Sequence, residues 1–160
     1  MLTEKDRKHL KRAVELAREA LEKGDAPFGS VLVSGEGEVL MEARNQVGCG
    51  DHTQHPEFNL ARWAAEHMTD GERRKATVYT SGEHCPMCSA AHGWVDLGRI
   101  VYASSSAQLA GWLEEMGIPP GRVRNLSIQE VIRDSVVEGP VPEFEEEIHK
   151  LQRQYHLGRS

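Results

Sequence analysis

Proline follows directly on His55 and again on Cys85, and this pair of positions limits the fold more than any other feature of the chain. Proline has no N–H to give to a helix and its φ is already helical, so it is tolerated in a first turn and excluded from later ones. His55 and Cys85 therefore open two helices, one over residues 55–68 and one starting near residue 85. Cys88 follows Cys85 by about one helical turn, which puts both sulfurs on one side. One imidazole and two thiols are three ligands of a tetrahedral zinc (Zn2+) site; a catalytic site keeps the fourth place for water, and a structural site fills it with protein. The positive ends of the two helices favour thiolate and help lower the pKa of a bound water, which zinc brings down to roughly 7. Glu57 lies two residues past His55, so it reaches the same cavity without binding the metal, where a carboxylate can take a proton from water and pass it on.

The rest of the chain alternates strands with helices. Residues 3–23 read as an amphipathic helix, with Leu10, Val14, Ala17 and Leu21 at helical spacing and Gly24 as its stop. Residues 28–33 and 38–43 read as a hairpin across Ser34-Gly35-Glu36-Gly37, and residues 44–54 as a loop. Brief strands are predicted at 77–80 and 99–103, and helices at 107–116, 127–133 and 142–155. Arg73, Arg74 and Lys75 read as a solvated loop before a strand. No boundary divides the 160 residues, so one α/β domain with helices on both faces of its sheet is expected.

Composition removes several function classes. The formal net charge is −6 and no basic face is visible, which disfavours a nucleic-acid partner. No window approaches the ~20 apolar residues of a membrane span, and residues 1–12 are charged with no apolar stretch after them. A cytoplasmic location and no membrane partner are expected. Three cysteines, an odd count, point to metal chemistry rather than a disulfide framework.

Four blocks then fall in one order across roughly residues 10–105: Ala26-Pro27-Phe28-Gly29-Ser30-Val31-Leu32-Val33, Ala43-Arg44-Asn45, His55-Pro56-Glu57-Phe58-Asn59-Leu60 and Val78-Tyr79-Thr80-Ser81-Gly82-Glu83-His84-Cys85-Pro86-Met87-Cys88. Together they resemble the zinc-dependent cytidine deaminase superfamily, and within it the guanine deaminase and cytosine deaminase group, with tRNA adenosine deaminases nearby. The resemblance implies a three-layer α/β/α fold with a central mixed five-stranded sheet, and a homodimer. It implies zinc on His55, Cys85 and Cys88, and Glu57 as proton carrier. Asn45 matches an asparagine that hydrogen-bonds the substrate ring, and Phe28 an aromatic position near the base pocket. Residues 81–84 are expected to border the leaving amine.

Two positions depart from the family pattern. His84 stands where proline is usual before the first cysteine, and is read either as a pocket donor or as a surface histidine filling a turn. Pro56 stands where a small residue is usual, so a backbone N–H is missing from the base site and the contacts to the ring are expected to differ. Trp112 is the tryptophan expected nearest a ligand, with Trp63 and Trp94 assigned to core or interface. Residues 139–160 are read as a candidate lid or subunit-exchange segment. A carboxylate among residues 143–147, Glu143 first, is expected to bind ring N–H groups, and Tyr155 or His156 to cap the pocket. His92 is given a place behind the metal ligands as a lesser option, and His9, His67 and His149 are assigned to solvent.

The expected function is hydrolytic deamination of a small-molecule amino-heterocycle as the free base. Guanine comes first, then cytosine-like bases or amino-triazines. Nucleoside or tRNA deamination is the alternative within the superfamily. A non-catalytic domain with a structural zinc, its fourth ligand drawn from Cys49, His52 or His84, is the alternative of another class.

Overall fold

A computed structural model of the chain describes residues 2–158. Thr3 caps α1 (Glu4–Glu22), accepting from the Asp6 N–H while the Asp6 carboxylate accepts from the Thr3 N–H. One stripe of α1, including Leu10, Val14 and Ala17, is buried, and the chain leaves it through Gly24 at a φ of 87°. There follow β1 (Gly29–Val33), β2 (Val39–Arg44), α2 (Pro56–His67), α3 (Asp70–Lys75), β3 (Thr77–Gly82), α4 (Pro86–Trp94) and β4 (Arg99–Ser104). The chain then forms α5 (Ser106–Glu115), α6 (Ile128–Val131), β5 (Val137–Glu138) and α7 (Glu145–His156), with single 3-10 turns at Val47–Cys49 and Pro142–Phe144.

The five strands form one mixed sheet in the order β2-β1-β3-β4-β5. β1 is antiparallel to both neighbours, and β3, β4 and β5 are parallel. Side chains alternate between two helical layers, as the period of a strand requires. Leu32 and Val78 pack under Leu60, Ala61 and Ala64 of α2, with α4 alongside. Val31, Val33, Tyr79 and Val101 pack on the other face against Leu10 and Val14 of α1, Trp112 of α5 and Ile148 of α7. This is the three-layer α/β/α arrangement the resemblance implied. The contact of α1 with β1 is so close that a Cβ at Gly29 would lie 2.4 Å from the Ala13 carbonyl oxygen. Among the described residues no helix is long and apolar enough to cross a membrane.

Two local readings are corrected. Residues 70–75 form a helix, not a loop, because Thr69 and Glu72 make a capping box around its start. Arg73 is not solvated: its guanidinium donates to the carbonyls of Val95 (2.7 Å) and Ala64 (3.3 Å) and ties together the ends of α2 and α4. The fifth strand escaped notice because it is two residues long and leaves no periodicity. It is held by pairing with Ile100 and Val101.

One polar knot joins the elements. The Arg99 guanidinium donates to both Asp6 oxygens (2.9 and 3.1 Å) and through Nε to Glu138 (2.9 Å), and the Tyr79 hydroxyl donates to Asp6 (2.6 Å). Asp6 is 5% exposed. Arg99 holds its carboxyl well below the usual carboxylate range. Removing one partner strands the other inside the protein, so Asp6→Ala is expected to cost about 3 kcal/mol and to lower Tm by about 6–12 °C. A carboxylate with a depressed folded-state pKa stabilises fully above its unfolded-state pKa of ~3.9 and loses that contribution as pH falls toward the folded value. The margin of wild type over Asp6→Ala in urea unfolding is therefore expected to be full at neutral pH and to shrink below about pH 4. A margin unchanged in acid would show that the Asp6 charge contributes nothing.

Candidate active site

His55 and Cys85 stand at the positions just before α2 and α4, each followed by its proline. β1 and β3 place these two helices side by side on one face of the sheet, which brings the starts of both to one point. His55 Nδ1 lies 3.5 Å from Cys85 Sγ and 3.6 Å from Cys88 Sγ, and the two sulfurs are 3.6 Å apart. A cation at bonding distance from all three, roughly 2.0–2.1 Å from nitrogen and 2.3 Å from sulfur, fits a triangle of this size. Among the described residues these three form the one cluster of metal-binding type. Cys49, His52 and His84 do not join them, so no protein side chain from that set closes the fourth corner.

The electrostatics favour a cation as well. Without one, the two sulfurs cannot both be thiolate. The hydrogen bond between the two sulfurs draws the Cys85 thiol down to about 4. That same bond and burial push Cys88 up. The Cys88 and Phe58 backbone N–H groups, in the first turns of α4 and α2, favour the ionised forms of Cys85 and Cys88 in turn. His55 is raised, chiefly by its hydrogen bond to Cys85.

Glu57 is buried one residue into α2, and it lines a cavity of about 100 Å³ together with His55, Pro56, Cys85, Phe28 and Asn45. Burial pushes its carboxyl up to about 7, with the nearby Cys85 charge adding to the effect. Asn45 uses its side-chain oxygen to accept the Val47 N–H at 2.9 Å, which leaves its NH2 group for the cavity. Phe28 lies close against the end of β3: a Cβ at Gly82 would come within 3.1 Å of the ring, so a larger residue there would press Phe28 aside by a few tenths of an ångström. Trp112 enters from α5 and is buried against the same cavity. Its indole stacks on His149 of α7, with ring centroids 4.6 Å apart and planes 8° from parallel.

His84 and Glu143 are not at the cavity, and both expectations are corrected. His84 is neither a pocket donor nor a surface residue. It is wholly buried behind Cys85, edge-on to His92 at 5.4 Å, and desolvation lowers its pKa strongly. Position 84 turns inward because β3 extends to Gly82 and the chain must descend to start α4. His92 donates through Nε2 to the Gly98 carbonyl at 2.8 Å and makes no contact with the sulfurs. Glu143 points to solvent and pairs with Arg7 of α1, because the turn at Pro142–Phe144 buries Phe144 instead. Glu147 similarly pairs with Arg18. Tyr155 and His156 stack edge to face with each other and do not line the cavity. His149 is not solvated, being held under Trp112.

Two wall residues make contacts that the sequence did not reveal: Glu83, inside the 81–84 turn expected to border the leaving amine, and Gln152 of α7. Glu83 accepts the Ser106 N–H (2.9 Å) with one carboxylate oxygen and the Ile128 N–H (2.8 Å) with the other, so it ties the starts of α5 and α6 to the rim. Gln152 of α7 lines the cavity and is buried. A lone acid in a turn and a glutamine in a charged helix carry no spacing that marks them.

With this geometry in view, comparisons with known proteins place the chain. Residues 3–104 match the cytidine and deoxycytidylate deaminase zinc-binding region. A probable cytosine deaminase of Schizosaccharomyces pombe is 35% identical over 119 residues, 74% of this chain and 72% of that protein. A guanine deaminase of Bacillus subtilis is 36% identical over 103 residues, 63% of this chain and 65% of that protein. A crystal structure of guanine deaminase from Bacillus subtilis aligns with a TM-score of 0.57 at 29% identity, covering 79% of this chain and 83% of the other. tRNA-specific adenosine deaminases match as well. The chain therefore belongs to the family of cytidine and deoxycytidylate deaminases, and the His55, Cys85 and Cys88 triangle falls within its zinc-binding region.

Proposed function

We propose that the chain is a zinc-dependent aminohydrolase of a free nucleobase or a related small amino-heterocycle, releasing ammonia. The observation that carries this reading is the buried Glu57 carboxyl beside the His55, Cys85 and Cys88 triangle, in a cavity of about 100 Å³. Zinc held there supplies Lewis acidity and lowers the pKa of water to roughly 7. Glu57 does the proton work. The carboxyl can take one proton from water and deliver it to the ring nitrogen beside the reacting carbon, then take the second from the hydroxyl newly bonded to that carbon and give it to the departing amine. The Asn45 NH2 group fixes a ring acceptor. Phe28 and Trp112 hold the flat ring and keep water from it. Pro56 offers no N–H, so the acceptor side of the ring depends on Asn45.

A free base fits this reading better than a nucleoside or a tRNA. The cavity is small and walled by α5 and α7, and the −6 net charge supplies few contacts to phosphate. Guanine is the first candidate, with cytosine-like bases and amino-triazines next. The test is ammonia release by the zinc-loaded protein from guanine, cytosine, adenine, amino-triazines, their nucleosides where these exist, and a folded tRNA. Turnover of at least one free base above its nucleoside is expected. Deamination of the tRNA with no free base turned over would overturn the proposal in favour of an editing enzyme.

A further inference from the structure

Among the described residues, Gln152 is the one member of the cavity wall whose buried polar group has no partner. Its side chain is 1% exposed, and its carboxamide oxygen meets no hydrogen-bond donor. Burying an amide oxygen unpaired is unfavourable. A position that merely filled space next to Leu151 is better served by methionine or leucine. The neighbouring polar groups do not relieve it. The Asn125 amide already donates to the Ser106 carbonyl at 3.2 Å, and no donor of the wall, the Asn45 NH2 group included, comes within hydrogen-bond distance of the Gln152 oxygen.

The helix that carries Gln152 is firmly seated. Ile148 and Leu151 are buried under α7, and His149, one turn before Gln152, stacks on Trp112. α7 belongs to the layer opposite α2 and α4, so Gln152 enters the cavity from the side away from the helix carrying His55 and Glu57.

We propose that Gln152 is a specificity-determining residue whose carboxamide hydrogen-bonds to the edge of the heterocycle facing away from the metal ligands. An amide has both a donor and an acceptor whichever way it is turned. It therefore matches a neutral edge on which a ring N–H adjoins a carbonyl or a ring nitrogen, as in an unsubstituted base. Substrate then satisfies a group that the free protein leaves unpaired. The inference rests on the site being a base-binding one, as proposed above.

Gln152→Met keeps the length of the side chain and removes both hydrogen-bonding groups. For the best free base of the panel, KM is expected to rise about ten- to a hundredfold, with kcat within about threefold of wild type. Zinc content is expected to be unchanged and Tm equal or higher, since an unpaired buried oxygen has been removed. The rise in KM at unchanged or higher Tm is a result that a merely structural role does not produce. An unchanged KM, or a rise in KM accompanied by falls in both Tm and kcat, overturns the proposal. Should Gln152→Met fail to fold, Gln152→Glu is read on the same scale: a KM rise of that size supports it, and wild-type KM overturns it. Calorimetric binding of the same bases separates this idea from the deaminase reading. If wild type binds a base but releases no ammonia, the deaminase reading fails, and Gln152 is judged by affinity alone. Weakening of about tenfold or more in Gln152→Met then upholds it, and equal affinities, or no binding by either protein, overturn it.

Discussion

Glu57→Gln is expected to lower the rate of deamination about a thousandfold or more while leaving one zinc bound per chain. The substitution keeps the shape of the side chain and its capacity to hydrogen-bond, but an amide neither takes up nor releases a proton near neutral pH. Glu57 is not among the three residues whose ligand atoms converge, so metal content should not follow its loss. Its burial leaves no other acid to take over: among the residues lining the cavity, the remaining carboxylate is Glu83, whose oxygens are bonded to the Ser106 and Ile128 N–H groups. The measurement is kcat alongside metal content by atomic emission. A zinc-loaded Glu57→Gln protein with wild-type turnover would remove the enzymatic reading of the site altogether.

Replacing Cys88 by alanine should have the second large effect, on the metal itself. Cys88 is buried, and its sulfur is one corner of a triangle whose other corners stay in place. With two ligands left, zinc affinity is expected to fall by more than about a hundredfold, since disturbing even the partners of zinc ligands costs 10–100-fold. Metal binding also contributes to folding stability. The Cys88→Ala protein and chelator-treated wild type are therefore expected to share one lowered Tm, with zinc addition raising only the second. An alanine variant that retains stoichiometric zinc would mean that the ion sits elsewhere.

The sequence revealed those parts of the site that are tied to a local rule. Proline after His55 and after Cys85 marks two helix starts, and a one-turn spacing pairs Cys85 with Cys88. The placing of Glu57, Asn45 and Phe28 beside these ligands followed from a resemblance of ordered blocks, and the structure brings all three to the cavity. What stayed hidden depends on how distant segments pack. The inward turn of His84 is set by where β3 ends. The outward turn of Glu143 is set by the burial of Phe144 next to it. Both ends of α7 look alike as text, a charged helix, yet Glu147 pairs with Arg18 on one side while His149 and Gln152 turn toward Trp112 and the cavity on another. β5 and α3 were missed or misread for a simpler reason: two and six residues are too few to show a period.

Glu83 has a mechanical consequence for the wall of the cavity. One carboxylate grips the starts of two helices, α5 and α6, from the tip of a strand. The segment strung between those helices is thereby hitched at both ends to the same post. Displacing the start of α5 therefore strains the bond to α6 as well, and neither start moves alone while Glu83 keeps both bonds.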